Sequence, residues 1–400
     1  MRDTGSTHIT QYTKRRRAVV SADQISDDSE TGQPEMLLGR YRVLARCGHG
    51  GFGTVCTCWD TRLQRRVAIK RMPLTDIAAH QGILTSTIDE ALAEARTACL
   101  LAHPNIVSVH DFESDETYAY LVMEFVDGLN LSELLARVDG GTLTHDELAH
   151  VVASLGRALA YAHENGVLHL DIKPTNVMID RQGTVKLADF GMATLASATG
   201  YGDARGGTVG YMPPEQIEGF LVDERADVFS LAAVVRQALT GHNIYAGKSA
   251  KESLTKMLKQ PHTLEAEAPT LSRTAIDELN QALSFDSARR PANVAEFSDS
   301  LSYELGDRAA GEKSLRELIG QTREEDGPLD DGRLPLDVRY PWLFSALSRI
   351  ASAATTALLM FPLLKDLAPE SMSFQLTGVV LSAAAAALWT PLGSALVLSA

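Results

Sequence analysis

The sequence has few cysteines and a shortage of basic charge. Its four cysteines, Cys47, Cys56, Cys58 and Cys99, are too few and too irregularly spaced for a disulfide framework or a zinc site, so a reducing cytosol is the expected setting. Acidic residues outnumber basic ones, 51 against 37, which gives a net charge of −14. Nucleic-acid binders present basic surfaces to phosphates, so the charge argues against nucleic acid as the main partner.

A secretory signal and internal repeats are not evident. The basic run at 14–17 is followed by only three apolar residues before polar residues return, which is too short for a signal peptide. Hydrophobic residues make up 45% of the chain and charged residues 22%, enough apolar material for one large core or two smaller ones. We therefore expect a globular enzyme with appended segments.

Changes in composition divide the chain into four segments. Residues 1–40 are polar and lack apolar periodicity, which predicts a disordered arm. Residues 41–305 have the pattern of a packed domain. Residues 306–341 are charged and contain Gly and Pro, as linkers do, and residues 342–400 are apolar almost throughout.

A glycine-rich stretch, GHGGFGTV at 48–55, is the first chemical signal. Its glycines fit the spacing G-x-G-x-x-G, and glycine lets a backbone approach phosphate oxygens closely. A dinucleotide-binding fold would need a helix directly afterwards, whereas TVCTCWD favours a strand. The pattern predicts a loop between two strands that folds over a nucleotide.

The next strand pattern, RRVAIKRM, contains Lys70. Its distance from the glycine loop would let the ammonium reach the α and β phosphates of ATP, and such a lysine needs a carboxylate to hold it. A helical pattern at 88–107 offers Glu90 and Glu94. The spacing to the pair His103-Pro104 favours Glu94, and Glu90 is expected on the surface.

Further motifs follow in a fixed order. HLDIKPTN at 169–176 comes after a helix-like run, and DFG at 189–191 comes after the strand-like TVKLA. YLVMEFVDG precedes them, and GTVGYMPPE, ADVFSLA and SARRPA come later. Together these motifs make the central domain resemble a bacterial, eukaryotic-like (Hanks-type) protein Ser/Thr kinase. KPTN within the loop is similar to Ser/Thr-directed members.

The resemblance implies an α+β, two-lobed kinase fold with a small β-rich N-terminal lobe and a larger helical C-terminal lobe. It implies ATP with Mg²⁺, or Mn²⁺ in its place. Asp171 would accept the proton of the substrate hydroxyl, and Lys173 would neutralise the moving phosphate. Asn176 and Asp189 would hold the metal, and Lys70, held by Glu94, would anchor the phosphates. Nucleotide contacts are implied for Gly48, Gly50, Gly51, Gly53, Val55, Ala68, Lys70, Met123, Glu124, Val126 and Met178.

Supporting roles follow from the same resemblance. Thr208 would support Asp171, and Glu215 and Arg290 would brace the activation segment as an ion pair. Asp227 would be a buried acid that ties down the catalytic loop. The partners implied are ATP and proteins with Ser or Thr acceptors, the kinase itself among them.

Leu170 departs from the family pattern. Most members have an arginine here that pairs with a phosphorylated activation segment, and leucine cannot bind phosphate. Because Leu170 is not expected to touch ATP, metal or the acceptor, we expect an enzyme whose activation does not require phosphorylation of that segment. Two alternatives are a pseudokinase that binds ATP without transferring phosphate, and a scaffold for which catalysis is incidental.

The apolar C-terminal segment suggests a membrane attachment. Residues 342–364 contain one charge, Arg349, and residues 374–400 contain none, while a spanning helix needs about 20 apolar residues. We therefore expect a transmembrane hairpin of two helices, with the kinase domain on the cytoplasmic side of a bacterial cell membrane or inner membrane. The alternative is a pair of Ala-rich helices packed on each other or on a soluble partner.

Overall fold

The computed structural model describes residues 35–50, 53–73, 100–115, 117–190, 209–259, 264–325, 341–367 and 372–388. Within these ranges the expected two lobes are present, one rich in β-structure and one helical. Several parts of the sequence prediction lie outside the described residues, among them the arm at 1–34, the helical pattern at 88–99, the activation segment over 191–208, the linker over 326–340 and the end of the apolar segment at 389–400.

The described part of the N-terminal lobe contains one antiparallel sheet. Its strands are β1 (Met36–Leu37), β2 (Tyr41–Gly50), β3 (Gly53–Asp60), β4 (Arg65–Pro73), β5 (Val109–Ser114) and β6 (Tyr118–Glu124). Their order across the sheet is β1-β2-β3-β4-β6-β5. Burial alternates along β3, because successive side chains of a strand point to opposite faces. Each face of the sheet carries its own apolar cluster.

The described part of the C-terminal lobe is mostly helical, with a small second sheet. That sheet has the order β7-β8-β9 and consists of β7 (Gly128–Asn130), β8 (Val177–Asp180) and β9 (Val185–Leu187). The helices are α1 (Leu131–Leu135), α2 (His145–Glu164), α3 (Pro214–Ile217), α4 (Glu224–Thr240), α5 (Ala250–Lys259), α6 (Leu264–Glu267), α7 (Arg273–Ala282), α8 (Val294–Leu305), α9 (Arg308–Glu325), α10 (Pro341–Leu367) and α11 (Met372–Leu388).

Helices α2 and α4 form the centre of this lobe. A capping box of Thr144 and Glu147 begins α2, and α4 ends at Gly241, whose φ of 77° suits glycine. Consecutive residues 226–236 of α4 are buried, so this helix is enclosed on all sides, and its buried polar residues include Asp227 and Arg236. The pair gives the catalytic loop between α2 and β8 a rigid support.

Helix α9 occupies residues whose composition suggested a linker. It docks on α2 and β8, and its Leu315 and Ile319 are fully buried in the main core. These two residues are four apart and lie on one helix face, but charged neighbours dilute the pattern in the sequence.

Two helices, α10 and α11, follow in the apolar segment, and they pack on each other. Neither of them, nor any other helix within the described ranges, combines the length and the apolar character needed to cross a membrane. The longer α10 contains Arg349 and Pro362 and includes the charged pair Lys365 and Asp366 near its end. The prediction of a transmembrane hairpin is therefore not supported by these helices.

Candidate active site

The catalytic loop at 169–176 is held by a buried carboxylate. Asp227, in α4, is completely buried. Its two oxygens accept hydrogen bonds of 2.8 Å from the main-chain N–H groups of His169 and Leu170, and His163 lies 2.8 Å from it through Nε2. Each contact satisfies a polar group that burial would otherwise leave unpaired. The expected role of Asp227 matches this geometry.

His169 links the catalytic loop to the end of β9. Its Nε2 lies 2.9 Å from the carbonyl oxygen of Ala188, and its Nδ1 accepts from the N–H of Asp171 at 3.2 Å. The carbonyl oxygen of Ala188 can only accept, so the ring nitrogen facing it donates. The ring also packs against Phe190, with 4.5 Å between ring centroids.

Two residues of the site adopt left-handed backbone conformations that are unusual for residues other than glycine. Leu170 has φ 59° and Asp189 has φ 67°. Such conformations cost free energy and persist where the surroundings enforce them, often at functional sites. Here Asp227 holds the N–H of Leu170, and Gln216 donates to its carbonyl oxygen at 2.9 Å.

Asp171, Lys173 and Asn176 converge within the loop. Lys173 Nζ lies 2.7 Å from Oδ2 of Asp171. The side-chain amide of Asn176 donates to the main-chain oxygen of Asp171 at 2.9 Å and to its Oδ2 at 3.2 Å. The carboxylate of Asp171 is thus oriented from two sides and positioned next to a cation.

Lys70 and Asp189 join the two lobes. Lys70 Nζ lies 2.8 Å from Oδ2 of Asp189, although 119 positions separate the two residues. Burial in itself raises the pKa of the Asp189 carboxyl, but the charge and hydrogen bond of Lys70, together with Lys173 and His169, more than offset it. The pKa of Asp189 therefore lies below its ordinary value, and the carboxylate stays ionised at neutral pH.

The described glycines of the glycine-rich stretch belong to the strands themselves: Gly48 and Gly50 end β2 and Gly53 begins β3. Gly48 pairs with Val55 and Gly50 pairs with Gly53 across the β2–β3 hairpin. Gly53 has φ 125°, and a Cβ at this position would lie 2.1 Å from the carbonyl oxygen of Arg71. Glycine is therefore required there. Gly51 is outside the described residues.

Most of the apolar residues expected to contact the nucleotide come together in one cluster. Ala68, Met123, Val126 and Met178 belong to one cluster on the inner face of the sheet. Val55 is half-buried in β3, directly across from Lys70 in β4. Four of the expected nucleotide contacts thus lie in one cluster, and Val55 lies next to the proposed phosphate-binding lysine in the sheet.

Glu124, one of the expected nucleotide contacts, has two hydrogen-bonding partners within the protein. Its N–H donates to the carbonyl oxygen of Ser108 at 2.8 Å, and its carboxylate lies 2.9 Å from Lys186 Nζ. By contrast, the N–H of Val126 donates to no main-chain or side-chain group among the residues described. A donor of this kind at the end of β6 is suited to an acceptor on a planar base.

The described end of the activation segment is anchored by an ion pair. Arg290, whose side chain has no exposed surface, donates to both oxygens of Glu215 at 2.6 and 2.9 Å. It also donates to the carbonyl oxygens of Ser284, Phe285 and Arg225. The expected pairing of Glu215 with Arg290 is present, and the additional bonds satisfy the buried guanidinium.

Three further residues of the site were not singled out from the sequence. They are His163, Lys186 and Gln216, which contact Asp227, Glu124 and Leu170 respectively. The sequence alone does not show whether a polar residue in a helix or strand makes a buried contact or faces the solvent. Glu94 and Thr208 lie outside the described residues, so their expected roles stay predictions.

The residues present fit a magnesium nucleotide. Asp189 and Asn176 offer the carboxylate and amide oxygens that Mg²⁺ prefers. The described ranges contain no preformed cluster of three or more His, Cys, Asp or Glu ligands. In phosphoryl-transfer sites Mg²⁺ usually takes only one or two protein carboxylates and completes its shell with phosphate and water.

Comparisons with known proteins identify the family of the central domain. Residues 41–300 match the family model described as "Protein kinase domain". Serine/threonine-protein kinase PrkC of Bacillus subtilis is 36% identical over 239 residues, which are 59% of this chain and 35% of that protein. Serine/threonine-protein kinase PknA of Mycobacterium tuberculosis is 37% identical over 233 residues, 56% of this chain and 52% of that protein. The chain thus spans a third to a half of the length of these curated relatives.

A solved structure matches as well. The kinase domain of Mycobacterium tuberculosis PknI, crystallised in a mutant form, superposes with a TM-score of 0.56 at 26% identity. The match covers all of that chain and 69% of this one. The chain belongs to the protein kinase family, and the curated proteins it resembles are bacterial Ser/Thr kinases.

Proposed function

We propose that this protein is an active Ser/Thr kinase that transfers the terminal phosphoryl group of ATP to hydroxyl groups of proteins, itself among the candidate acceptors. One observation carries the proposal. Lys70 from the N-terminal lobe contacts Asp189 at 2.8 Å, and the loop with Asp171, Lys173 and Asn176 lies beside them. A pseudokinase usually lacks one of these groups, and this chain has them all.

Phosphoryl transfer mainly requires positioning and opposite charge, because charge spreads over the transferred group. When bound, Mg²⁺ would neutralise phosphate charge. Asp189 and Asn176 would hold it, and Lys70 would orient the α and β phosphates. Asp171 would accept the hydroxyl proton of the acceptor, since Asn176 and Lys173 already fix the orientation of its carboxylate. Lys173, 2.7 Å from Asp171, would balance the negative charge that develops nearby.

The loop around Leu170 supports activation without a phosphorylated segment. This loop has no arginine side chain to bind phosphate, and its main chain at Leu170 is held by Asp227 and Gln216. Both contacts form without any modified residue. We therefore propose a kinase in which Leu170 eliminates regulation through a phosphorylated activation segment. The residues that take part in phosphoryl transfer are all retained.

Membrane association stays a prediction from the apolar composition of residues 342–400. Several large apolar side chains of α10 and α11 are more than half exposed, namely Ile350, Leu358, Leu376, Val380 and Leu381. A surface of this kind favours a nonpolar partner, and lipid is the proposed one. Carbonate extraction of cell membranes distinguishes the alternatives: retention in the membrane pellet supports lipid, and release into the supernatant supports a soluble partner.

The proposed activity is tested with the purified full chain, γ-labelled ATP, Mg²⁺ and a general protein acceptor such as casein. Label on serine or threonine after acid hydrolysis, present with the parent protein and absent with Asp171→Asn, supports transfer. Nucleotide binding without label transfer from the parent protein would instead support a pseudokinase. Thr61→Ser, a conservative substitution on the surface turn after β3, is prepared and assayed in the same way as a control variant.

A further inference from the structure

The β8–β9 hairpin connects the residues proposed to hold the metal. Asn176 immediately precedes β8, and Asp189 follows β9 by two residues. The turn of the hairpin, residues 181–184, lies at the opposite end and closes with a 3.0 Å hydrogen bond from the N–H of Asp180 to the carbonyl oxygen of Thr184. A shift of the turn would therefore move both ends of the metal site together.

Helix α9 contacts this turn directly. Arg316 Nε donates to the carbonyl oxygen of Gln182 at 2.9 Å. Gly183 has φ 83°, and a Cβ there would lie 2.4 Å from the carbonyl oxygen of Glu312. The backbones of the turn and the helix are thus as close as glycine permits.

The same helix is fixed to α2 on its other side. A Cβ at Gly311 would lie 2.0 Å from the carbonyl oxygen of Asp146, and Ser314 Oγ donates to Glu147 Oε1 at 2.5 Å. Leu315 is fully buried between these contacts. The buried His150 of α2 completes the arrangement, because its Nε2 lies 3.1 Å from the carbonyl oxygen of Gly183.

We propose that α9 is a positioning element of the kinase site: docked between α2 and the 181–184 turn, it holds the β8–β9 hairpin so that Asn176 and Asp189 are placed for the metal. The inference rests on the proposed function for its consequence in metal binding. Rigid secondary elements in contact are the usual carriers of such coupling.

Two glycines of α9 provide a matched test in the full chain. Gly311→Ala places a Cβ 2.0 Å from the Asp146 carbonyl oxygen and so forces α9 away from α2, while no residue of the hairpin or of the metal site is substituted. Gly320→Ala is the control, because nothing lies within 4 Å of a Cβ at that position. Arg316→Ala is a second variant that removes the contact with Gln182 and adds no bulk.

The measurements are hydrogen exchange of the amides at 177–187 and the Mg²⁺ concentration that gives half-maximal binding of a fluorescent ATP analogue. We expect faster exchange and a rise of about threefold to tenfold in that Mg²⁺ concentration for Gly311→Ala and Arg316→Ala, with Gly320→Ala like the parent. A lower unfolding temperature alone, with unchanged Mg²⁺ dependence and unchanged exchange at the hairpin, would overturn the proposal.

Failure of the proposed kinase function and failure of the positioning role of α9 give different results. If the parent protein binds no magnesium nucleotide, the proposed function fails, and hydrogen exchange alone then decides whether α9 holds the hairpin. If Gly311→Ala does not fold, Arg316→Ala carries the same comparison with Gly320→Ala. Parent-like exchange and Mg²⁺ dependence in Arg316→Ala would then contradict the positioning role.

Discussion

The side-chain amide of Gln216 donates a hydrogen bond of 2.9 Å to the main-chain oxygen of Leu170. This contact connects the residue after the PPE motif with the loop that contains Asp171. It holds a leucine at φ 59°, a conformation that the chain would otherwise avoid. Gln216 therefore helps to place Asp171 through the main chain.

Gln216→Glu tests that placement, because the carboxylate keeps the shape of the side chain but cannot donate. A hydrogen bond contributes about 1 kcal/mol, so we expect kcat to fall by about fivefold or more. KM for ATP is expected to stay unchanged, because Gln216 lies away from the nucleotide. Gln64→Glu is the control, since it removes an exposed bond of the same type, from Gln64 Nε2 to the oxygen of Thr61. Equal losses in both variants would contradict the role of Gln216.

The consequence of Leu170 for regulation is tested in the activation segment. Thr194→Ala, Thr199→Ala and Ser197→Ala, combined in one chain, are expected to keep most of the parent kcat. The reason is that Leu170 offers no charge to a phosphate. Thr208→Ala is assayed separately, because Thr208 is expected to support Asp171. Loss of activity in the triple variant together with recovery on Asp or Glu substitution would show that loop phosphorylation is required.

The carboxylate that holds Lys70 provides a third test. The sequence favours Glu94 over Glu90, and both lie outside the described residues. Glu94→Gln is expected to lower kcat/KM for ATP by about a hundredfold, because Lys70 would lose the charge that orients it. Glu90→Gln is the matched control and is expected to match the parent. The opposite ranking in steady-state assays would reassign the partner.

Much of the site could be predicted from the sequence because its residues occur in short, ordered motifs with specific chemistry. Asp171, Lys173 and Asn176 are close in the sequence, so their convergence needs only one loop. Gln216 and His163 were not foreseen, because a polar helical residue gives no sign of which neighbour it will meet. The contact of Lys70 with Asp189 spans 119 positions and depends on how the lobes close.

Two differences from the sequence prediction, both outside the site, have physical causes of their own. Helix α9 buries only a narrow apolar stripe, which includes Leu315 and Ile319. Because the helix contains many charged residues, its overall composition is like that of a linker. In the C-terminal segment, overall apolar composition suggested spanning helices. Neither α10 nor α11, as far as the structure describes them, meets the requirements of a bilayer span.

The buried His150 predicts a pH dependence of stability. Burial lowers the pKa of its imidazole below the ordinary 6.5, and Arg157 lowers it further, while Glu312 and the carbonyl groups of Gly183 and Arg308 oppose the shift. Below about pH 6.5 the unfolded chain binds a proton that the folded chain does not, so the free energy of unfolding falls as the pH falls.

His150→Gln is therefore expected to reduce the slope of unfolding free energy against pH between about 6.5 and 5. One proton corresponds to at most about 1.4 kcal/mol per pH unit. Urea denaturation at a series of pH values measures the slope, and the exposed His242→Gln is the control for the substitution. Because burial also lowers the pKa of His103 and His110, part of the slope will remain. A slope identical to that of the parent would contradict the role of His150.

The central claim is that Asp171 acts on the acceptor hydroxyl while Lys70, Asn176 and Asp189 hold the magnesium nucleotide. The most direct test is single-turnover transfer from γ-labelled ATP by Asp171→Asn, measured together with its affinity for ATP and Mg²⁺. The account predicts that the transfer rate falls by about a hundredfold to ten-thousandfold while the nucleotide affinity stays within about twofold of the parent. An unchanged transfer rate, or a loss of nucleotide binding that accounts for the whole effect, would contradict it.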